Sequence, residues 1–353
     1  MVEIYKETGR MIKDIDDSFF NAILQKQFEY QPELKERYNS KQIQKYIDDT
    51  KYHLSYLSEA ITNNRQVLFN EYLAWIKIYF NGLPVTDDEI ILNFLLVRDG
   101  LKEILPNEMS NISSKFINTG IEYYKSKPPL LPSFITDENP FKELAQNYLS
   151  FLVNGDKNSA HQLIMKSVEN KTSIKDLYLN VFQVTQKETG RLWQLSRIIV
   201  AQEHFITAAT QLIMAQLYPY LFTTELKNYK VIVSCVEGEL HEIGARMVAD
   251  IFEMEGWNSY YFGANTSIDN LIDNIKKHQP NIVAISATMI FNISTVSKII
   301  QTIRKFDSLK KIKILVGGYP FLIAEDLWKD IGADGFASDA LAAVEIAERF
   351  LNQ

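Results

Sequence analysis

The chain has 353 residues, enough for two or three hydrophobic cores of ordinary size. A hydrophobic content of 46% and a charged content of 23% are typical of a globular protein, and no apolar run is long enough to predict a membrane span. The net charge of −7, with Lys and Arg scattered, argues against direct nucleic-acid binding, and the single cysteine excludes an internal disulfide framework. The first residues also lack the layout of a secretory signal, so we expect a cytoplasmic protein.

Residues 1–127 are predicted to form an all-helical domain. Apolar residues recur there at helical spacing, and no useful stretch alternates with period two. Thr86 and Glu89 have the spacing of a capping box, which predicts a helix from Ile90 to Leu105. The aromatic residues of this domain are expected to fill its core.

A proline-rich stretch between Ser126 and Pro140 predicts a linker, and residues 138–226 then predict a second domain. One helix is expected from Pro140 to Gly155, with Asn139 as its cap. The other helical patterns cover Ser159–Asn170, Ser173–Glu188 and Ser196–Phe222. Four helices with short connections predict a four-helix bundle.

Residues 229–353 alternate strand-like and helical patterns. The predicted strands are Val231–Val236, Ser259–Phe262, Ile282–Ser286, Ile314–Val316 and Gly335–Ala337. The predicted helices are Ile243–Met254, Ile268–His278, Val296–Phe306, Phe321–Asp330 and Ala340–Leu351. This order predicts a doubly wound parallel sheet of Rossmann type, so the fold class of the whole chain is α + α/β.

The turn after the first predicted strand carries the most informative motif. Gly238 lets the backbone leave the strand, His241 supplies an imidazole, and Gly244 lies at the start of the next helix. The carboxylate of Glu239 can accept one ring N–H of the histidine and so fix its tautomer. Neutral imidazole is a suitable axial ligand for the cobalt of a corrin, whose equatorial positions are already filled.

Two further loops are expected at the same edge of the sheet. Ser286 and Thr288 follow the third predicted strand, and Gly317 and Gly318 follow the fourth. Each feature alone is more simply a turn or a helix terminus. Because all three loops share the carboxyl edge, together they predict a groove for an elongated cofactor tail.

Residues from about Asn147 to Phe350 resemble the cobalamin-binding module of the light-sensing B12 regulators, without their DNA-binding domain. The matching segments are Gly238–Gly244, Gly256–Trp257, Phe262–Asn265, Val316–Gly318 and Gly332–Gly335. The resemblance implies base-off binding, in which His241 replaces the nucleotide base on cobalt and the displaced tail enters the groove. It also adds Leu240 and Glu242 to the cofactor-binding residues.

The same resemblance implies a role for residues in the bundle. The upper face of adenosylcobalamin would be capped by Trp193, Val200, Glu203 and His204. The glutamate would form a hydrogen bond to the adenosyl group. Photolysis of the cobalt–carbon bond would then change domain packing and association. Some relatives have a second histidine after the tryptophan, which binds cobalt after photolysis. This chain has Gln194 there, which argues against an illuminated state with two histidine ligands at that position.

A helical domain ahead of a B12 module also resembles the photocobilins, which implies biliverdin as a second chromophore in residues 1–127. His53 would be a contact for the bilin, or even a haem ligand, although a lone histidine on a helix is usually structural. The expected function is therefore a non-enzymatic light sensor that associates with itself and with a signalling partner, without nucleic acid or membrane. The alternatives are a corrinoid shuttle protein of a methyltransferase system and an adenosylcobalamin mutase subunit.

Overall fold

The computed structural model describes residues 2–221 and 225–351. The chain divides into two compact units. Unit 1 contains the residues up to Pro129, together with Met289–Ser294 and Ile323–Leu327. Unit 2 contains Leu130–Thr288, Thr295–Leu322 and the residues from Trp328 onward.

Unit 1 is built from helices, as the spacing of its apolar residues predicts. They are α1 (Val2–Lys13), α2 (Asp17–Tyr30), α3 (Glu33–Arg37), α4 (Ser40–Thr62), α5 (Gln66–Asn81), α6 (Asp87–Ile104) and α7 (Asn107–Ser126). Thr86 caps α6 through its hydroxyl, which accepts the Glu89 N–H. The Glu89 carboxylate pairs with Arg37 at 2.5 Å, so only half of the predicted capping box forms.

The first part of unit 2 is the predicted helix bundle. Its helices are α8 (Lys142–Val153), α9 (Lys157–Glu169), α10 (Ile174–Asp176), α11 (Gln183–Gln194) and α12 (Val200–Leu217). A π-helical stretch, Leu177–Phe182, joins α10 to α11. Tyr148, Tyr178 and Phe182 are fully buried, and each of the two tyrosine rings lies 5.5 Å from the Phe182 ring.

The bundle differs from the prediction around Trp193. The third helix continues past Glu188 to Gln194, and the fourth begins at Val200 instead of Ser196. Ser196 has a φ of +55°, a left-handed conformation that separates the two helices. The fourth helix ends at Leu217 and a 3-10 turn follows at Tyr218–Tyr220, while its predicted end, Phe222, lies outside the described residues.

The second part of unit 2 carries the parallel sheet, with the order β2-β1-β3-β4-β5. The strands are β1 (Lys230–Cys235), β2 (Asn258–Tyr261), β3 (Ile282–Ser286), β4 (Lys313–Gly317) and β5 (Gly335–Phe336). The helices are α13 (Ile243–Met254), α14 (Ile268–His278), α15 (Ile293–Lys305), α16 (Tyr319–Ile323), α17 (Leu327–Asp330) and α18 (Ala340–Leu351). The single predicted helix Phe321–Asp330 is thus interrupted, and Asp326 there has a φ of +59°.

The strand order brings the predicted loops together. Both β2 and β3 pair in parallel with β1, so the order of the sheet reverses there, and ligands of such sheets bind beside this point. The ends of β1, β3 and β4 are in register, with Cys235 beside Ser286 and Ser286 beside Gly317. In the parts of the chain that the structure describes, no helix is long and apolar enough to cross a membrane.

Candidate functional site

The loop between β1 and α13 holds His241 in a defined orientation. The Nδ1 atom of its ring lies 2.5 Å from Oε1 of Glu239, and the same oxygen accepts the His241 backbone N–H at 3.0 Å. This is the hydrogen bond that the sequence predicts. Because the carboxylate accepts a hydrogen bond from Nδ1–H, the proton of the neutral ring stays on Nδ1, and the other ring nitrogen, Nε2, keeps its lone pair as a ligand atom.

Glu239 is fully buried although its side chain is a carboxylate, and its hydrogen bonds account for this burial. Its second oxygen, Oε2, accepts the backbone N–H of Thr288 at 2.8 Å. Hydrogen bonds to both oxygens offset the cost of removing the carboxylate from water. The loop after β3 therefore supports the β1 loop through a backbone donor.

The electrostatic setting of His241 is acidic. The hydrogen bond to Glu239 raises the pKa of His241, and the carboxylate of Glu203 on α12 adds to the rise, against the effect of partial burial. The His241 side chain is still 58% exposed. An oriented and accessible imidazole can bind a ligand from solution, as a histidine sealed in a core cannot.

The loops after β3 and β4 approach one another closely. Ala287 donates its N–H to the Gly317 carbonyl at 3.1 Å. Gly318 has a φ of +107°, and a Cβ there would lie 2.0 Å from the Ala287 carbonyl oxygen, so only glycine fits. Ser286 lies beside Cys235 in the sheet, and the buried Cys235 thiol donates to the His241 carbonyl at 3.8 Å. Burial raises the pKa of this thiol to about 12. That cysteine is an inert part of the core.

Glu242 is held by contacts within the protein. Its Oε1 accepts a hydrogen bond from Gln211 of α12 at 3.0 Å, and its Oε2 accepts from the Tyr261 hydroxyl and the Ala264 N–H, each at 3.0 Å. Glu242 therefore joins the bundle to the sheet. The sequence alone did not suggest Gln211, because nothing in the spacing of α12 marks it. Leu240, two residues before Glu242, is 73% exposed.

The predicted upper-face residues lie on two helices. Trp193, in the last turn of α11, is partly buried against the bundle core, and Gln194 beside it is buried. Val200, Glu203 and His204 occupy the first two turns of α12. His204 is exposed and its Nδ1 lies 2.6 Å from Glu203, while Val200 is 50% exposed. The start of α12 therefore offers an open surface with an apolar and an acidic side chain.

The residues around His241 fit a corrinoid. Gly244 is exposed, and a Cβ built there meets no atom within 4 Å, so the packing of the protein itself does not require a glycine. A flat macrocycle resting on this surface would require one. The exposed Leu240, the oriented Nε2 atom and the glycine-rich β4 loop are also the kinds of group that such a cofactor contacts.

His53 lies in a core and not at an exposed surface. It is buried in unit 1, with its Nδ1 atom 2.6 Å from the Tyr72 hydroxyl and its ring 4.6 Å from the Phe94 ring. Burial lowers the pKa of His53 to about 3, so the ring is neutral. A bilin or haem contact at His53 is not supported by this position, because core side chains already surround the imidazole.

Comparisons with known proteins identify both parts of unit 2. Two families described as B12 binding domain match the chain, one over residues 144–218 and the other over residues 229–345. The fold and the site thus define a B12-binding protein. The monomethylamine corrinoid protein of Methanosarcina barkeri has the same fold, with a TM-score of 0.53 and 21% identity, over 59% of this chain and 99% of that one.

Relatives identify the family. Dimethylamine corrinoid protein 2 of Methanosarcina mazei is 30% identical over 46% of this chain and 74% of its own. Dimethylamine corrinoid protein 1 of the same organism is 33% identical over 36% of this chain, and the match spans 59% of that relative's length. The chain belongs to this family of corrinoid proteins.

These findings correct the expected function. Light sensing, which the resemblance implied, is wrong, because the matching relatives are amine corrinoid proteins. They favour the alternative, a corrinoid shuttle protein. The assignments of adenosylcobalamin, biliverdin and a signalling partner depended on light sensing and lose their support with it.

Proposed function

We propose that this chain is a corrinoid carrier of a methyltransferase system, in which His241 would bind the cobalt of the corrinoid. The observation that carries the proposal is the Glu239–His241 pair at the carboxyl edge of the sheet, in a chain related to amine corrinoid proteins. By this proposal the chain is not itself the catalyst. It presents a methyl group to a partner methyltransferase.

The first task of the protein is to keep one nitrogen ready for the metal. Glu239 holds the proton on Nδ1, so that Nε2 stays free to donate. The Thr288 N–H fixes the far oxygen of the carboxylate, which restricts rotation of the acid and hence of the imidazole. A bound corrinoid supplies cobalt, to which a methyl group can be attached and from which it can be removed.

The second task is to leave the upper side accessible. A carrier must exchange its methyl group with partners, and the exposure of Val200 and His204 at the start of α12 supports such access. Trp193 lies in the preceding helix, α11, and packs against the bundle core, which favours a role as one side of the cofactor site. By the same proposal, Ser286, Thr288, Gly317 and Gly318 line the groove that takes the cofactor tail, and Gly238, Leu240, Glu242 and Gly244 border the corrin.

We also assign parts of the chain to these tasks. Residues 229–353 would hold the corrinoid, residues 138–226 would cover it, and residues 1–127 would contact a partner protein. The relatives are dimethylamine and monomethylamine corrinoid proteins by name, which makes a small methylated amine one candidate for the methyl source.

A methyl-transfer assay tests the proposal. The purified chain is loaded with methylcobalamin and mixed with a methylcobamide-dependent thiol methyltransferase and a thiol. We expect the methylcobalamin absorbance to disappear and methylated thiol to form faster than with the same concentration of free methylcobalamin.

The control is the His241→Ala variant, in which the rate should fall to that of the free cofactor. If the loaded wild-type chain transfers its methyl group no faster than free methylcobalamin, and an amine-specific partner also fails to load it, the carrier function is wrong.

A further inference from the structure

We propose that Asn265 is a positioning residue that sets the place of the cobalt ligand by clamping the β1 loop. This inference rests on the proposed corrinoid site and adds a residue to it. Asn265 lies in the segment Phe262–Thr266 that follows β2, which we call the β2 loop. Phe262–Asn265 is one of the segments that carry the family resemblance, but nothing in the sequence connects Asn265 to His241, since the two are brought together only by the fold.

The β2 loop runs alongside the β1 loop and extends the parallel pairing beyond the strands. The Cys235 N–H donates to the Gly263 carbonyl at 3.0 Å, and Val236 pairs with Thr266 in a parallel bridge. Glu242 accepts the Ala264 N–H from the other side. These contacts hold the β2 loop in place independently of the side chain of Asn265.

Asn265 then makes two hydrogen bonds to successive residues of the β1 loop. Its side-chain Oδ1 accepts the Gly238 N–H at 2.8 Å, and its backbone N–H donates to the Glu239 carbonyl at 3.0 Å. Glu239 is the residue whose carboxylate orients His241. The position of the imidazole thus depends on a chain of contacts that begins at Asn265.

The conformation of Asn265 explains the residue type. Its φ of +51° lies in the left-handed region, which asparagine tolerates better than most residues with a side chain. Glycine would adopt the same backbone but would offer no acceptor to Gly238. Asparagine supplies both the backbone and the acceptor, and it does so at a position that is exposed and outside the core.

The test uses the Asn265→Gly variant of the full chain, which removes the acceptor without backbone strain. The probe is cobinamide, a corrinoid that lacks the nucleotide base, so that its affinity depends on the protein imidazole. We expect cobinamide affinity to fall about fivefold, the effect of one hydrogen bond, and a smaller fraction of the cobalt to show imidazole ligation in its absorption spectrum. Asn265→Asp keeps an acceptor and should restore both.

The matched control is Asn64→Gly. Asn64 follows α4 in unit 1 with a φ of +48°, so the change has the same backbone consequence in the unit that does not contain the β1 loop. It should leave the spectrum unchanged. If Asn265→Gly binds cobinamide with the wild-type affinity and spectrum, Asn265 does not position the ligand, while the carrier function stands. If wild-type protein shows no imidazole ligation, the proposed function and this inference fail together.

Discussion

His53 and His241 differ in their surroundings, since one is a core residue of unit 1 and the other is an exposed residue of unit 2. His53 lies in the helical core of unit 1, bonded to a neutral tyrosine hydroxyl, and burial lowers its pKa to about 3. His241 lies at the edge of the sheet in unit 2, bonded to a buried carboxylate that raises its pKa. Both rings use Nδ1 for the protein, but only His241 has Nε2 near solvent.

The comparison indicates that a histidine suited to bind a metal can be distinguished by a carboxylate hydrogen-bond partner and by an exposed ring. A carboxylate strengthens the donor capacity of the ring, and exposure lets a cofactor reach it. A core histidine has neither property, and it contributes to stability through packing and one hydrogen bond.

The largest effect is expected on the corrinoid spectrum when the exposed histidine is removed. His241→Ala should abolish imidazole ligation and weaken binding of cobinamide by at least about 100-fold, because the ligand itself is lost. Thermal stability should hardly change, since the side chain is 58% exposed. Absorption spectra and a binding titration measure both outcomes, and an unchanged spectrum would remove His241 from the site.

The buried histidine should behave in the opposite way. His53→Ala leaves a cavity beside Phe94 and a buried Tyr72 hydroxyl without its partner, so we expect a loss of about 4 kcal/mol in the free energy of unfolding. Urea denaturation measures the loss. The cobinamide spectrum of the folded variant should match that of the wild type, and a variant that folds well but loses the spectrum would contradict the contrast.

A buried acid in unit 1 makes stability depend on pH. Glu59 accepts hydrogen bonds from Ser294 and Asn63, and burial raises its pKa to about 7 from an ordinary value of 4.5. Because the folded state holds the proton more tightly, this stabilisation is complete below pH 4.5 and is lost as the pH rises through 7. The loss is up to about 3 kcal/mol.

Glu59→Gln tests this pH dependence. The variant should have a melting temperature that declines less than that of the wild type between pH 5.5 and pH 8.5, because the amide has no proton to lose. Equal declines in the two proteins would exclude Glu59 as the source.

The smallest effects are expected when either of two glycines is replaced by alanine. Gly244→Ala fills open space in α13, so it should raise the free energy of unfolding by up to about 1 kcal/mol while lowering corrinoid affinity. Gly318→Ala should destabilise the protein instead, because its Cβ would meet the Ala287 carbonyl. Melting curves and cobinamide titrations distinguish the two cases. An unaltered affinity in Gly244→Ala would mean that the corrin does not rest on this surface.

The sequence predicted the elements well where the pattern is local. Continuous apolar runs marked the strands, and the hydrogen bond between Glu239 and His241 could be predicted because the two residues are close along the chain. The sheet edge followed from the rule that parallel strands share their carboxyl ends. The same rule placed Ser286 and Gly317 together, and the structure pairs them at the ends of β3 and β4.

Contacts between distant residues could not be predicted. Gln211 and Asn265 reach the β1 loop from α12 and the β2 loop, and no spacing rule connects them to His241. The break between α11 and α12 was also missed, because it occurs at Ser196 in a left-handed conformation, with no proline or glycine to indicate it. Trp193 therefore lies in α11, whereas the sequence had placed it between two helices. The inclusion of Met289–Ser294 in unit 1 is a third case, since it depends on tertiary packing.

The most direct test of the account is the electron paramagnetic resonance spectrum of the chain loaded with cobalamin and reduced to the Co(II) state. An axial nitrogen splits each cobalt line into a triplet, and protein grown with ¹⁵N-histidine should give doublets, since the nitrogen belongs to His241. Triplets that persist after labelling would show that the nucleotide base still binds cobalt, and this result would contradict the proposed site.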